Sequence, residues 1–227
     1  MSRTIADRQL ELRLPTRGGR RRGAGRPAGP RPRIRHRSRP AISGSRPALV
    51  TLKIREGLPS LRRRSFVAAF ERSLDRLRAR ADFRVVEYSI QSNHAHFVIE
   101  ADGAEELGRG MKALGTRFAR LVNRVSRGSG PALRDRYHLR VLRTPREVRN
   151  ALAYVLLNIR KHRTQRGLAT PPRIDPASSG RWFAGWAGEA LPARDPPVVA
   201  AAQSWMLRAG WLRWGRIALY ETLAGQK

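Results

Sequence analysis

Residues 92–100 read Ser-Asn-His-Ala-His-Phe-Val-Ile-Glu, which sets His94 and His96 one residue apart inside an apolar run. Alternate residues of a strand share a face, so the two imidazoles would stand side by side, about 7 Å apart along one pleat. Such a pair is half of a metal site, or two polar side chains on a wet face. Farther along, Tyr154 and Asn158 lie four residues apart in T-P-R-E-V-R-N-A-L-A-Y-V-L-L-N-I-R-K-H-R. On a helix that spacing stacks a phenol and an amide on one side. They are offset from the apolar stripe of Val148, Leu152, Val155, Leu156 and Ile159, at the edge of a buried face that could look toward a sheet carrying the histidines. The chain has no cysteine, which excludes disulfides and thiolate metal sites and fits a reducing compartment. No HExxH pattern is present, so a zinc hydrolase would lack its third strong ligand and its activating carboxylate.

The pattern around these residues predicts the elements that would position them. VTLKI (50–54) alternates like a strand. Ser60 is placed to cap a helix running to Ala81, with Phe66, Phe70, Leu74 and Leu77 recurring at three and four. RVVEYSI (84–90) and NHAHFVIEA (93–101) are β-rich runs joined by Gln91-Ser92, which predicts a hairpin. Asp102 and Glu105 resemble a capping box for a second helix, striped by Leu107, Met111, Leu114, Phe118, Leu121 and Val125 and ended by RGSGP (127–131). RYHLRVLRT (136–144) reads as a fourth strand. Thr144-Pro145-Arg146-Glu147 is a helix start, with Thr as cap, Pro in the first turn and Glu three residues on. The order β-α-β-β-α-β-α predicts an α+β fold: a ferredoxin-like split βαβ with a four-stranded antiparallel sheet, helices on one face and an additional C-terminal helix near the open face.

Charge bounds the partners. The 227 residues carry 47 basic against 17 acidic side chains, a net charge of +30, and all but four of the basic residues are arginine. A chain this basic is drawn to polyanions, and the planar guanidinium suits phosphate oxygens. Residues 1–50 hold 14 arginines and two acids among Gly, Pro and Ser, with no apolar period. Residues 1–48 therefore read as a disordered Arg-rich arm, 49–163 as the folded domain, and 164–227 as a Pro/Gly linker with a Trp/Arg-rich helical tail. All five tryptophans lie in that tail. They either glue it to the main domain or, with Arg208, Arg213 and Arg216 beside Trp205, Met206 and Trp211, stack bases and sit on phosphates. No run of 18 apolar residues predicts a membrane span, and the N-terminus lacks the apolar core of a secretory signal.

From about residue 50 to 163 the chain resembles the HUH single-tyrosine transposases, the small insertion-sequence transposases and their REP-associated relatives in bacteria. The resemblance is carried by SNHAHFVIE, a helix, a strand with Arg-Tyr-His, and a helix bearing Tyr-Val-Leu-Leu-Asn. It departs from the family in Phe97 after His-Ala-His and in Asn158-Ile159 where Asn-Pro is commoner. The resemblance implies that Tyr154 is the nucleophile and that His94, His96 and Asn158 hold a divalent ion, Mg²⁺ or Mn²⁺. A phenol titrates near pH 10, so it needs help to attack, and an ion can orient a phosphate and offset its charge. The implied activity is a transposase or nickase that cleaves and rejoins single-stranded or hairpin DNA, such as palindromic repeats, through a covalent 5′-phosphotyrosine. The implied setting is the bacterial cytoplasm near the nucleoid. Relatives include monomers and homodimers that share active sites, so both states stay open. Arg134, Arg136, Arg140, Arg143, Arg160 and Lys161 are the expected DNA contacts. Tyr88 and Tyr137 are the competing tyrosines. The rival readings are a non-catalytic DNA- or RNA-binding protein on the same fold and a ribosome-associated or RNA-packaging basic protein.

Overall fold

The computed structural model describes residues 44, 46–165, 167–168, 173–188, 193 and 195–221. The expected basic arm, apart from its last few residues, lies outside them.

Four strands, β1 (Ala48–Lys53), β2 (Phe83–Ile90), β3 (His94–Ala101) and β4 (His138–Val141), form one sheet in the order β2-β3-β1-β4. All pairings are antiparallel. The helices α1 (Arg64–Arg78) and α2 (Ala104–Ser126) are the two long ones, followed by α3 (Pro145–Leu156) and α4 (Asn158–Gln165). The sequence-predicted order and the ferredoxin-like sheet are both present, with the His-Ala-His strand in the interior of the sheet.

Local differences have identifiable causes. α1 starts at Arg64, not after Ser60, because the Ser60 hydroxyl accepts from the Arg62 amide and holds a turn ahead of the helix. α2 has Gly103 at its N-cap without a side-chain cap, while Asp102 pairs with Arg84 across the sheet edge. The cap at α3 does form: Thr144 Oγ1 accepts from the Glu147 amide at 3.2 Å, and the Glu147 carboxylate accepts from the Arg143 amide, one residue ahead of the cap, at 2.6 Å.

Strand alternation sorts β3 into two faces. Ala95, Phe97, Ile99 and Ala101 join a core with α1 and α2, in which Phe66, Phe70, Tyr88, Phe97 and Phe118 pack edge to face or tilted. His96, Val98 and Glu100 face the other way. That second face is not open, as the sequence predicted. A second core covers part of it, built from Leu49, Val86, Val98, most of α3 and the tail residues Trp186, Leu207, Trp211 and Ile217. A bulge between Val85 and Glu87 makes room by turning both Val86 and Glu87 to this side.

The tail is tied down by polar groups as well as rings. Glu100, buried in β3, accepts from the amides of Gln203 and Ser204 at 2.8 Å each and from Arg84 at 3.2 Å. These bonds set the start of the short helix α5 (Trp205–Arg208). Arg62 grips Asp175 at 2.9 and 2.6 Å, and Arg149 grips Glu221 at 2.6 and 2.7 Å. Forked pairs of this kind fix orientation as well as position.

Candidate active site

The site is built on a cross-strand pair. In the β1–β3 register Thr51 lies opposite His96 and Lys53 opposite His94. Thr51 Oγ1 sits 2.9 Å from His96 Nδ1, and Asn93 Oδ1 sits 2.8 Å from His94 Nδ1. An amide oxygen only accepts, so His94 Nδ1 carries the proton and its lone pair is on Nε2. A proton on His96 Nδ1, donated to Thr51, gives the second ring the same tautomer. The two rings lie 4.6 Å apart between centroids, nearly perpendicular. Their strand shares one face because the period is two, and the neighbours on both sides lock the rings.

α3 brings the phenol. Its apolar residues Val148, Ala151, Leu152 and Val155 are buried in the second core, which lays the helix over β2 and β3. Tyr154 emerges half-buried at the edge of that face. Its hydroxyl lies 3.3 Å from His96 Nε2, and the rings are 4.9 Å apart. Residues 58 positions apart in sequence thus meet within one chain. With His96 Nδ1 protonated, the Tyr154 hydroxyl donates to the bare Nε2.

The expected single helix through Asn158 divides. α3 ends at Leu156, Leu157 adopts φ −103°, ψ 9°, and α4 begins at Asn158. Such dihedrals fall in the sparsely populated bridge region where active-site residues often sit. The break allows Val155, Leu156, Leu157 and Asn158 all to be buried, four in a row, which one stripe of an unbroken helix does not permit. The stacking of Asn158 on Tyr154 therefore no longer follows from helical repetition. Instead, Asn158 is 1% exposed, and neither its Oδ1 nor its Nδ2 has a hydrogen-bond partner among the described residues. Leaving such a group unsatisfied costs about 1–3 kcal/mol, and a cation taking Oδ1 as a ligand would offset that. Among the described residues no three His, Asp or Glu side chains gather as a metal group.

The competing tyrosines go elsewhere. Tyr88 is fully buried on the opposite face of the sheet, where its hydroxyl donates to Glu71 at 2.6 Å. Burial first, and then the Glu71 carboxylate, push its phenol far above the ordinary range. Tyr137 packs half-buried against the same core as α1 and α2.

The predicted DNA contacts divide too. Arg136 and Arg143 are exposed, and Arg160 is half-buried. Arg134 pairs with Glu56 and Asp135, and Arg140 with Glu147, all near the surface. The Lys161 side chain lies outside the described residues.

Two polar groups on this side of the sheet escaped sequence reasoning. Thr51 is one of many strand threonines, and only its register against His96 marks it. Glu87 is 7% exposed and accepts from Ser179; burial pushes its carboxyl up to about 8, and the Ser179 bond opposes this only in part. It borders a cavity of about 440 Å³ between β2 and the tail, also lined by Trp182, Phe183, Trp211 and Arg208. His94, His96 and Tyr154 do not line that cavity.

No protein-family model matches the chain, and no curated protein matches it. Among solved structures it is similar to a REP-associated tyrosine transposase bound to a REP hairpin, with a TM-score of 0.51 and 14% identity. The match covers 75% of this chain and 100% of that one. At that identity the likeness is one of fold: this chain shares the architecture of a tyrosine transposase.

Proposed function

We propose that this protein is a single-tyrosine enzyme that cleaves and rejoins single-stranded or hairpin DNA, with Tyr154 as nucleophile. The observation that carries the reading is the Tyr154 hydroxyl 3.3 Å from His96 Nε2, beside a second histidine on the same strand face. The shared fold with a transposase that binds a DNA hairpin supports it, as does the net charge of +30.

In this reading Tyr154 Oη attacks the phosphorus of one phosphodiester. The bond from Oη to phosphorus forms as the bond to the 3′ oxygen breaks. The phenol proton is lost, and the 3′ oxygen departs and is protonated to a free hydroxyl. The 5′ phosphate stays on Tyr154 as an ester, so a 3′ hydroxyl can later reverse the step and join strands without an external energy source. His94, His96 and Asn158 would hold the Mg²⁺ or Mn²⁺ ion, which supplies charge stabilisation and orientation of the phosphate when bound. Thr51 and Asn93 hold both imidazoles in the tautomer with the lone pair on Nε2. His96 Nε2 docks the Tyr154 hydroxyl while its lone pair is otherwise unused. The second core behind α3 fixes the position of the phenol to within the play of that helix. Exposed arginines around β4 would hold flanking phosphates by charge.

The test is a denaturing gel with a hairpin oligonucleotide labelled at its 3′ end, with Mn²⁺ or Mg²⁺ added. The full-length protein should retard the label as a covalent adduct. Tyr154→Phe should bring the adduct below detection while hairpin affinity stays within about twofold, since only a hydroxyl is removed. An adduct that persists in Tyr154→Phe makes Tyr137 the next nucleophile to test. Binding without any adduct from the unaltered protein would reduce the function to nucleic-acid binding on this fold.

A further inference from the structure

The five tryptophans do not share one fate. Trp186 and Trp211 are 4% exposed and sit in the second core, where their indole N–H groups donate to Gly180 O and Leu207 O. Trp182 packs half-buried on the first core, with the Arg181 guanidinium 3.9 Å from its ring centre. Trp205 and Trp214 are 53% and 51% exposed. Exposed tryptophans are unusual because a large apolar ring gains more from burial than any other side chain. A fold that buries two indoles of the same tail has the means to bury all of them.

The two exposed rings belong to one rigid unit. α5 carries Trp205, and the following 3-10 turn, Gly210–Trp214, carries Trp214. Between them Leu207 and Trp211 plug into the second core. The Trp205 ring lies so close to Gly210 that a β-carbon there would come within 2.8 Å of it, so this glycine lets the indole rest flat on backbone. A cation is set against each ring: Arg213 lies 5.1 Å from the Trp205 ring centre and Arg146 lies 5.2 Å from that of Trp214. Arg146 stands in the first turn of α3, the helix that bears Tyr154 eight residues later, roughly 12 Å along its axis. Leu212 and Tyr220 are also exposed, at 40% and 75%. Aromatic faces alternating with guanidinium groups on a strongly basic chain are complementary to a strand that offers bases and phosphates in alternation.

We propose that Trp205 and Trp214, with Arg213 and Arg146, form a stacking platform for unpaired bases of a single-stranded nucleic acid. The platform serves the DNA-cleavage reading by holding the strand that flanks the phosphate at Tyr154, and in that sense it rests on that reading. Stacking tolerates any base, so the platform adds affinity without choosing sequence. Its indoles stay in place because the buried half of the same segment anchors them.

The experiment uses the full chain and a thymidine oligomer of about twelve nucleotides, within the range such surfaces cover, titrated at several salt concentrations. Two double variants are compared, Trp205→Leu with Trp214→Leu, and Trp205→Phe with Trp214→Phe. The leucine pair should weaken binding about tenfold or more, as loss of base stacking predicts. The phenylalanine pair, which keeps a ring at each position, should stay within about threefold. Neither should alter the slope of affinity against salt, because no phosphate-binding cation is removed. Both should melt within a few degrees of the unaltered chain. Unchanged affinity in the leucine pair overturns the platform, as does an equal loss in both pairs, which would make bulk rather than stacking the determinant. Loss of self-association in the leucine pair with DNA affinity intact also overturns it and assigns the surface to a second copy of the chain. If the unaltered protein forms the Tyr154 adduct while the leucine pair binds as tightly, the platform alone fails. If the unaltered protein binds no oligomer even at low salt, the DNA-cleavage reading falls with it.

Discussion

The two faces of the sheet differ in what they bury. Against α1 and α2 the interior is almost wholly apolar, with five aromatic rings meeting around Phe118 and Phe70. Against α3 and the tail the sheet presents His96, Glu87, Arg84 and Glu100, all less than 10% exposed, and just past the end of α3 Asn158 is buried as well. Burying a polar group is costly unless each atom finds a partner. The first face can be explained by stability alone. The second retains imidazoles, a half-buried phenol and an unpartnered amide that packing does not require, and departures of that kind concentrate at functional sites.

The widest separation between the faces is expected from a truncation on each. His96→Ala should remove metal-dependent cleavage altogether and lower the melting temperature by only a few degrees. Phe118→Ala, in the fully buried aromatic cluster, should cost about 3–5 kcal/mol and leave any molecules still folded able to cleave. Parallel thermal melts and adduct gels measure both. If His96→Ala in metal-free buffer loses as much stability as Phe118→Ala, the histidine belongs to packing and the faces are alike.

A subtler change tests the cross-strand support. Thr51→Val keeps shape and strand propensity but removes the oxygen facing His96 Nδ1. The expected loss is about 10- to 100-fold in Mn²⁺ affinity or ion-dependent rate, and Thr51→Ser should recover most of it. Titration of the ion by calorimetry with the unaltered protein as reference checks this. Equal ion affinity in the valine variant would leave Thr51 as an ordinary strand residue.

The smallest effect concerns Glu87. Its carboxyl titrates at about 8 in the fold against 4.5 when solvated. Between those values the unfolded chain gives up a proton that the folded chain keeps, so the unfolded state binds fewer protons and stability falls as pH rises. The contribution is fully present below about pH 4.5 and is lost by about pH 8. Glu87→Gln, which cannot ionise, should flatten that part of the melting profile and raise the melting temperature at pH 8 by several degrees. A wild-type profile with the same slope as the variant would place the Glu87 carboxylate in a more polar setting than its 7% exposure implies.

Much of this molecule is legible in one dimension because strands and helices have fixed periods. The period of two puts His94 and His96 on one face and Ala95, Phe97 and Ile99 on the other. The stripes at three and four mark the buried faces of α1 and α2, though Val125 is only half-buried and Val67 and Val122 are buried outside them, and Thr144-Pro145-x-Glu147 marks the start of α3. Those features depend on neighbours a few positions away, whose geometry the backbone dictates.

What depended on distant residues had to wait for the fold. That Thr51 supports His96 is a matter of strand register, set by how the two long helices bury β1 and β3 together. The break at Leu157 carries no proline or glycine to announce it. The tail's role was undecidable from its composition, because tryptophan suits both packing and base stacking. Only the sheet's second face, by accepting Trp186 and Trp211 and leaving Trp205 and Trp214 in solvent, shows which of these indoles pack. Local sequence sets which side chains can point together, but cross-strand register and competition for a finite buried surface choose among them.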